Sequence, residues 1–275
     1  MEVVYVNHLG EEINLTKWPL MLQEPEKMLA SEWSYTTASE IGITGFDKEL
    51  KETEVTVSVF ADSDKEYRMV MDELLSITEK DIIAEQPGKI WINEYYLPCF
   101  IRKGEYEEYE EDFYATDKKL TVLSHKWMWI KETLTKYRYE DKQSTSGYDY
   151  PYDYPHSYGV SNGFYGSLEN SHFTESNFVM IIYGYAVNPC VTIGGNIYRL
   201  NCTIKEGDRV IINSADQTIT LIHANDQREN AFRYRDQKND IFRKIQPGTS
   251  SVLWNAKFDF DIWLCVERSE PEWST

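Results

Sequence analysis

Nowhere in the 275 residues does an apolar run approach the ~20 positions that a membrane-spanning helix needs. The start, MEVVYVNHLGEE, also lacks the basic and then apolar layout of a secretory signal. The chain is therefore expected to be made and folded in a cytoplasm. Basic residues are scarce: 28 Lys and Arg stand against 46 Asp and Glu, a net charge of −18, with no Lys/Arg stripe. Such a surface repels a phosphate backbone, which argues against nucleic acid as a partner. Cysteine is sparse and scattered. Cys99, Cys190, Cys202 and Cys265 show no CxxC spacing, so they read as four buried thiols rather than as disulfides or a zinc site.

Catalytic signatures are missing as well. His8, His125, His156, His172 and His223 form no HxxxH or HExxH motif. GVSNG at 159–163 has the letters of G-x-S-x-G, but it lies in a Tyr/Gly/Ser/Pro-rich junction and not at the strand-to-helix turn of a nucleophile elbow; there is no P-loop and no dinucleotide fingerprint, and Gly194-Gly195 is explained by a tight turn between two strand runs. Asp259 and Asp261 share one face of the strand KFDFDIW, opposite Phe258, Phe260 and Ile262. Paired carboxylates can hydrolyse glycosides when they face each other across a cleft, but an ordinary surface strand gives this pattern too. The densest acidic run holds Glu105, Glu107, Glu108, Glu110, Glu111 and Asp112. It lacks the Asp/Asn-Gly spacing of a calcium loop, and on a strand its members would point to opposite faces, so it reads as a solvated hairpin tip. The chain is expected not to be an enzyme. No catalytic residue, cofactor-binding residue or metal ligand is assigned.

What the sequence does hold is core material. It is 41% hydrophobic with 20 Tyr, 11 Phe and 8 Trp, enough for about two domains. Period-two alternation marks strands through most of the first half; in EVTVSVFA, Val55, Val57 and Val59 share a face. One segment breaks that rule. Tyr67, Val70, Met71, Leu74 and Leu75 fall at helical spacing, and Ser63 with Glu66 forms a capping box ahead of them, which predicts a helix over about 63–80. Pro98 in YYLPCFI predicts an edge strand or a bulge. Leu120, Val122, Trp127 and Trp129 close an N-terminal antiparallel sheet domain with one helix, assigned to 1–138.

From 139 onward the composition changes. The stretch YDYPYDYPHSY at 148–158 is stiffened by proline, whose ring fixes φ and pushes the preceding residue to extended conformations. It reads as an ordered lead-in that seats the second domain; a sugar-stacking platform and a mobile linker are the competing readings. Aliphatic strands follow. Tyr198, Leu200, Cys202 and Ile204 share one face, Gly207-Asp208 signals a turn, Ser214 to Gln217 links two strands, and two more join near Asn255. Seven or eight short strands with regular turns predict a β-sandwich or jelly roll over 139–275.

Taken in order, KIWINEYYLPCFI, YDYPYDYPHSYG, NPCVTIGGNIYRLNCTIKEGDRVIINS, NDIFRKIQPGTSSVLW and the terminal RSEPEW resemble the distal tail protein (Dit) family of long-tailed phages and prophages of Gram-positive bacteria. The resemblance covers nearly the whole chain and is strongest from about residue 148. It implies a virion structural protein at the tail tip, with an N-terminal ring-forming domain that assembles as a homo-hexamer and a C-terminal galectin-like sandwich that points outward. The implied partners are other tail proteins: the tail tube, tape measure, tail-associated hub protein and receptor-binding protein. The chain has no spare segment for the arm or inserted carbohydrate-binding domain of some members. A rival reading has the sandwich itself grip cell-wall glycans, with Trp254 and Trp263 as stacking residues, although their alternating apolar strands suggest a core.

Overall fold

The computed structural model describes residues 1–39, 41–110, 114–139, 164–254 and 258–272. The Tyr/Pro-rich stretch at 148–158, His156, Glu111, Asp112 and the turn near Asn255 lie outside the described residues. The chain is mainly β, and α1 (Asp64–Ala84) is the only α-helix among the described residues. It divides into two units, Met1–Lys131 with Glu267–Thr275, and Glu132–Val266. The C-terminal residues therefore return to the first unit, where Lys126 Nζ reaches Glu267 Oε2 at 2.5 Å.

The first unit contains β1 (Val3–Val6), β2 (Glu12–Asn14), β3 (Leu20–Gln23), β4 (Ser34–Ala38), β5 (Gly42–Asp47), β6 (Lys51–Val59), α1, β7 (Gly88–Ile92), β8 (Tyr95–Glu110) and β9 (Ala115–Ser124). β10 (Trp129–Tyr137) begins in it. All pairings are antiparallel: β2–β1–β7–β8 runs one way and β3–β6–β9–β8 the other, meeting at β8. β8 is no edge strand. Tyr96 faces Trp91 of β7 and Ile130 of β10, while pairing with β9 starts at Phe100. Pro98 falls between those two positions, where its carbonyl accepts from the Ser124 hydroxyl at 2.7 Å. The bulges lie further along, at Ile101/Lys103 and Tyr106/Glu108.

The capping signal marks the helix start correctly. Ser63 Oγ accepts from the Glu66 N–H at 3.2 Å, and the Glu66 carboxylate takes the Asp62 N–H at 2.9 Å. The helix runs past residue 80 to Ala84, and Glu85 closes it in the left-handed conformation at φ 52°. Val70, Met71 and Leu74 are buried in the same core cluster as Val55, Val57, Leu120 and Val122, and Tyr67 packs against that cluster. Leu75, expected in that stripe, is exposed; Ile77, Thr78 and Asp81 continue the buried face. At 100° per residue, 75 lies off the line through 70, 74, 77 and 81.

The second unit holds the rest of β10, then β11 (Phe164–Asn170), β12 (Asn177–Tyr183), β13 (Ala186–Val187), β14 (Cys190–Ile193), β15 (Asn196–Arg199), β16 (Thr203–Ile204), β17 (Arg209–Asn213), β18 (Thr218–Ile222), β19 (Arg228–Asn230), β20 (Gly248–Trp254) and β21 (Phe260–Arg268), whose last residues cross into the first unit. The sheets β19–β18–β17–β12–β21 and β11–β20–β14–β15 face each other across one core. Phe178 meets Tyr198 edge-on at 5.3 Å, and Trp254 meets Phe260 likewise at 5.3 Å, one residue from each sheet. This is a sandwich. Among the described residues these two sheets hold nine strands, and β13 and β16 pair with each other apart from them, where periodicity suggested seven or eight; strands of two or three residues (β13, β16, β19) are too short to alternate visibly. Gly194 and Gly195, at φ 55° and 87°, make the predicted hairpin turn, which requires positive φ at both positions.

Candidate assembly surface

The paired carboxylates Asp259, just before β21, and Asp261, within it, are held by ion pairs and hydrogen bonds. Arg138 Nη1 bonds Asp261 Oδ1 at 2.6 Å, the Tyr183 hydroxyl donates to Asp261 Oδ2 at 2.8 Å, and the Tyr139 N–H donates to Asp259 Oδ1 at 2.7 Å. The hydrogen bond to Asp261 raises the Arg138 guanidinium above its usual value. With the carboxylates engaged by a fixed cation and donors, the cluster clamps the chain after β10 to β21. Trp254 is buried in the sandwich core, and Trp263 is half-buried.

A second polar cluster ties α1 to β1. The buried Asp81 carboxylate accepts from the Tyr5 hydroxyl and from the His8 N–H at 2.8 Å, and His8 Nδ1 stands 2.5 Å from it. Burial, then the bond to Asp81, pushes the Tyr5 hydroxyl far above its ordinary pKa. Elsewhere His223 Nδ1 is 3.1 Å from Asp208, and the His172 ring lies tilted against Phe173, with centroids 4.2 Å apart. Cys99 and Cys190 are buried as expected, whereas Cys202 and Cys265 are half-buried; none of the four is in a disulfide. The described part of the acidic run, Glu105 to Glu110, belongs to β8, where Glu110 pairs with Ala115 of β9, and Glu105 is bridged by Lys103 at 2.5 Å.

The surfaces that most need explanation are apolar. β4 and β5 form a hairpin that pairs only with itself, and none of its described residues is buried. A bulge between Thr36 and Thr37 sets Tyr35 opposite Phe46 and Thr37 opposite Ile43. Because cross-strand partners share a face and Tyr35 and Thr37 alternate by two, Tyr35, Ile43 and Phe46 all lie on one side. They are 65%, 56% and 63% exposed. On the same unit, a cavity of about 340 Å³ opens between α1 and β8–β9. Leu75, Ile82 and Ile83 form its helical wall and Ile101 and Leu120 its sheet wall, with Arg102 and Lys103, paired with Glu52 and Glu105, at the charged margin. Lys118 crosses the floor over Gly104, where any side chain would displace it, and desolvation lowers its ammonium pKa.

Sequence reading missed both surfaces. The hairpin's bulge breaks the alternation that would have shown one apolar face, and the cavity's walls come from segments about 20–40 residues apart.

No protein-family model matches the chain, and no curated protein matches it in sequence. Solved structures share its fold. The Dit protein of phage SPP1, a paradigm of the hub adsorption apparatus of phages that infect Gram-positive bacteria, aligns with a TM-score of 0.57 at 12% identity, over 97% of this chain and 98% of its own. A chain of the phage P2 baseplate in its activated conformation with Ca gives 0.60 at 16% identity, over 95% and 97%. The activated phage p2 baseplate with Sr gives 0.62 at 16%, over 98% and 99%. The likeness runs through both units rather than one shared sandwich, and the chain has a Dit-like phage tail hub fold.

Proposed function

We propose that this protein is a structural component of a phage tail tip: a hexameric adaptor that joins the tail tube to baseplate or fibre proteins, made in the host cytoplasm and without catalytic activity. The N-terminal domain, expected over 1–138 and joined by Glu267–Thr275 in the first unit, would form the ring, and the rest of 139–275 the outer sandwich. The observation that carries this reading is the end-to-end fold match to tail hub and baseplate proteins, over 95–98% of the chain. It is supported by the solvent-exposed apolar hairpin. An isolated two-stranded hairpin is marginal in water, and exposed apolar patches of this kind mark interaction sites. Glycan binding by the sandwich, the rival reading, would have to use aromatics other than the buried Trp254. Negative-stain microscopy of the purified chain tests the adaptor role. Six-fold rings are expected, and antibody against the chain is expected to label the tail tip of particles; fields of single globules, with no label on particles, would overturn it.

A further inference from the structure

We infer that the cleft between the β14–β15 turn and residues 243–246, on the second unit, binds a phosphate group through Arg243, Lys244 and Ser250. Unlike the ring, this site needs one copy only. Gly194, Asn196, Tyr198 and Ser250 line the cleft with the two cations, and no acidic residue does. Its free space is about 50 Å³. A single water needs roughly 10–15 Å³, so a group of a few heavy atoms fits. A Cβ on Gly194 would stand 3.1 Å from Ser250 Oγ, and its absence leaves that hydroxyl open. The Ser250 hydroxyl has no hydrogen-bond partner among the described residues.

Charge singles out the same place. On a chain of net −18, residues 228–244 hold six basic side chains, Arg228, Arg233, Arg235, Lys238, Arg243 and Lys244, against three acidic ones. The acids interleave with them, so no stripe shows in the sequence. Those acids are also occupied. Glu229 pairs with Arg233 at 2.7 Å, Asp236 accepts the Lys238 N–H at 3.1 Å, and Asp240 accepts the Phe242 N–H at 3.0 Å. Beside the cleft, Glu175 accepts from Gln246 Nε2 at 3.0 Å. Arg243 and Lys244 are exposed, and neither has a carboxylate at ion-pair distance among the described residues. The Arg243 charge is felt at the Tyr198 hydroxyl, where it works against the rise that burial causes. Two cations and a free hydroxyl suit a tetrahedral oxyanion, which accepts from three donors at once, and the guanidinium fork matches its oxygens in pairs.

Equilibrium dialysis of the full chain against labelled inorganic phosphate, at ~0.15 M salt to screen diffuse charge, tests the site. Saturable binding of one phosphate per chain is expected. Arg243→Gln and Lys244→Gln, at exposed positions where folding is not at stake, should each weaken it by about tenfold, the loss of one charge-assisted bond. Lys238→Gln removes a cation of the same loop that does not line the cleft, and should change binding by less than about twofold. Polyphosphate then separates the sources of the group. Competition far tighter than that of inorganic phosphate, lost steeply with salt, would identify a phosphate polymer as the ligand, and competition no tighter would identify a single phosphate or phosphate ester. Both results require Arg243 and Lys244. Binding that falls as much with Lys238→Gln, or polyphosphate binding that survives the loss of both cleft cations, would reduce the site to diffuse charge and overturn it. Retention of neither anion by the parent chain would overturn it too.

Discussion

His8 Nδ1 lies 2.5 Å from Asp81 Oδ1, joining the loop after β1 to the last turn of the only long helix described. With the Tyr5 hydroxyl on the other carboxylate oxygen, Asp81 fixes α1 to the sheet at a point shut off from solvent. Replacing it with Ala strands both partners. The expected loss is on the order of 3 kcal/mol, against about 1–3 kcal/mol for Tyr5→Phe. Guanidinium midpoints measure both, and an unchanged midpoint for Asp81→Ala would contradict the anchoring role.

Two adjacent leucines give a sharper comparison. Leu74 is 1% exposed and Leu75 is 46% exposed. Leu74→Ala should cost on the order of 2–5 kcal/mol of stability, and Leu75→Ala less than about 0.5 kcal/mol. Equal losses would mean that the helix is rotated from the position described.

These examples show what the sequence could and could not reveal. The helix start was legible because a capping box is local: Ser63 and Glu66 announce it. Its end was not, because Glu85, rather than a glycine, takes the left-handed closing position. Leu75 was placed on the wrong side because an apolar side chain at helical spacing does not say whether something covers it. The strand character of both halves and the turn at Gly194-Gly195 followed from period and turn chemistry. Asp81 had no local signal, since its partners lie more than 70 residues away. The apolar hairpin face escaped because its bulge places residues of odd spacing, 43 and 46, on one side.

If Asp261 is a clamp, its loss should harm folding and nothing else. Asp261→Asn is expected to lower stability by about 1–3 kcal/mol, because the ion pair with Arg138 is replaced by a hydrogen bond to a neutral acceptor. A cell-wall zymogram should show no clearing by the parent chain or by the variant. Clearing by the parent that the substitution abolishes would make the pair catalytic.

Alkali should unfold the protein through its buried tyrosines. Burial raises Tyr137 and Tyr198 to about 12, and Tyr5 still higher, above an ordinary value of 10. The raised groups stay neutral in the folded state while the unfolded chain ionises them. Their contribution is therefore complete below pH ~10 and is lost as pH rises toward 12. Tyrosinate absorbance should rise in two steps, exposed residues near pH 10 and buried ones later, together with loss of fold. A single step near 10 with the fold intact would contradict this burial.

The central claim is assembly, and mass in solution tests it most directly. Six copies at −18 each carry about −108, so diffuse electrostatics oppose a ring, and buried apolar surface must hold it. Salt should then promote association as the Debye length shrinks from ~10 Å at 0.1 M. Light scattering across protein and salt concentrations is expected to reach six times 32.3 kDa, and to reach it at lower protein concentration when salt is high. A mass that stays at 32.3 kDa at high protein and high salt, for a chain also missing from the tail tip of assembled particles, would contradict it.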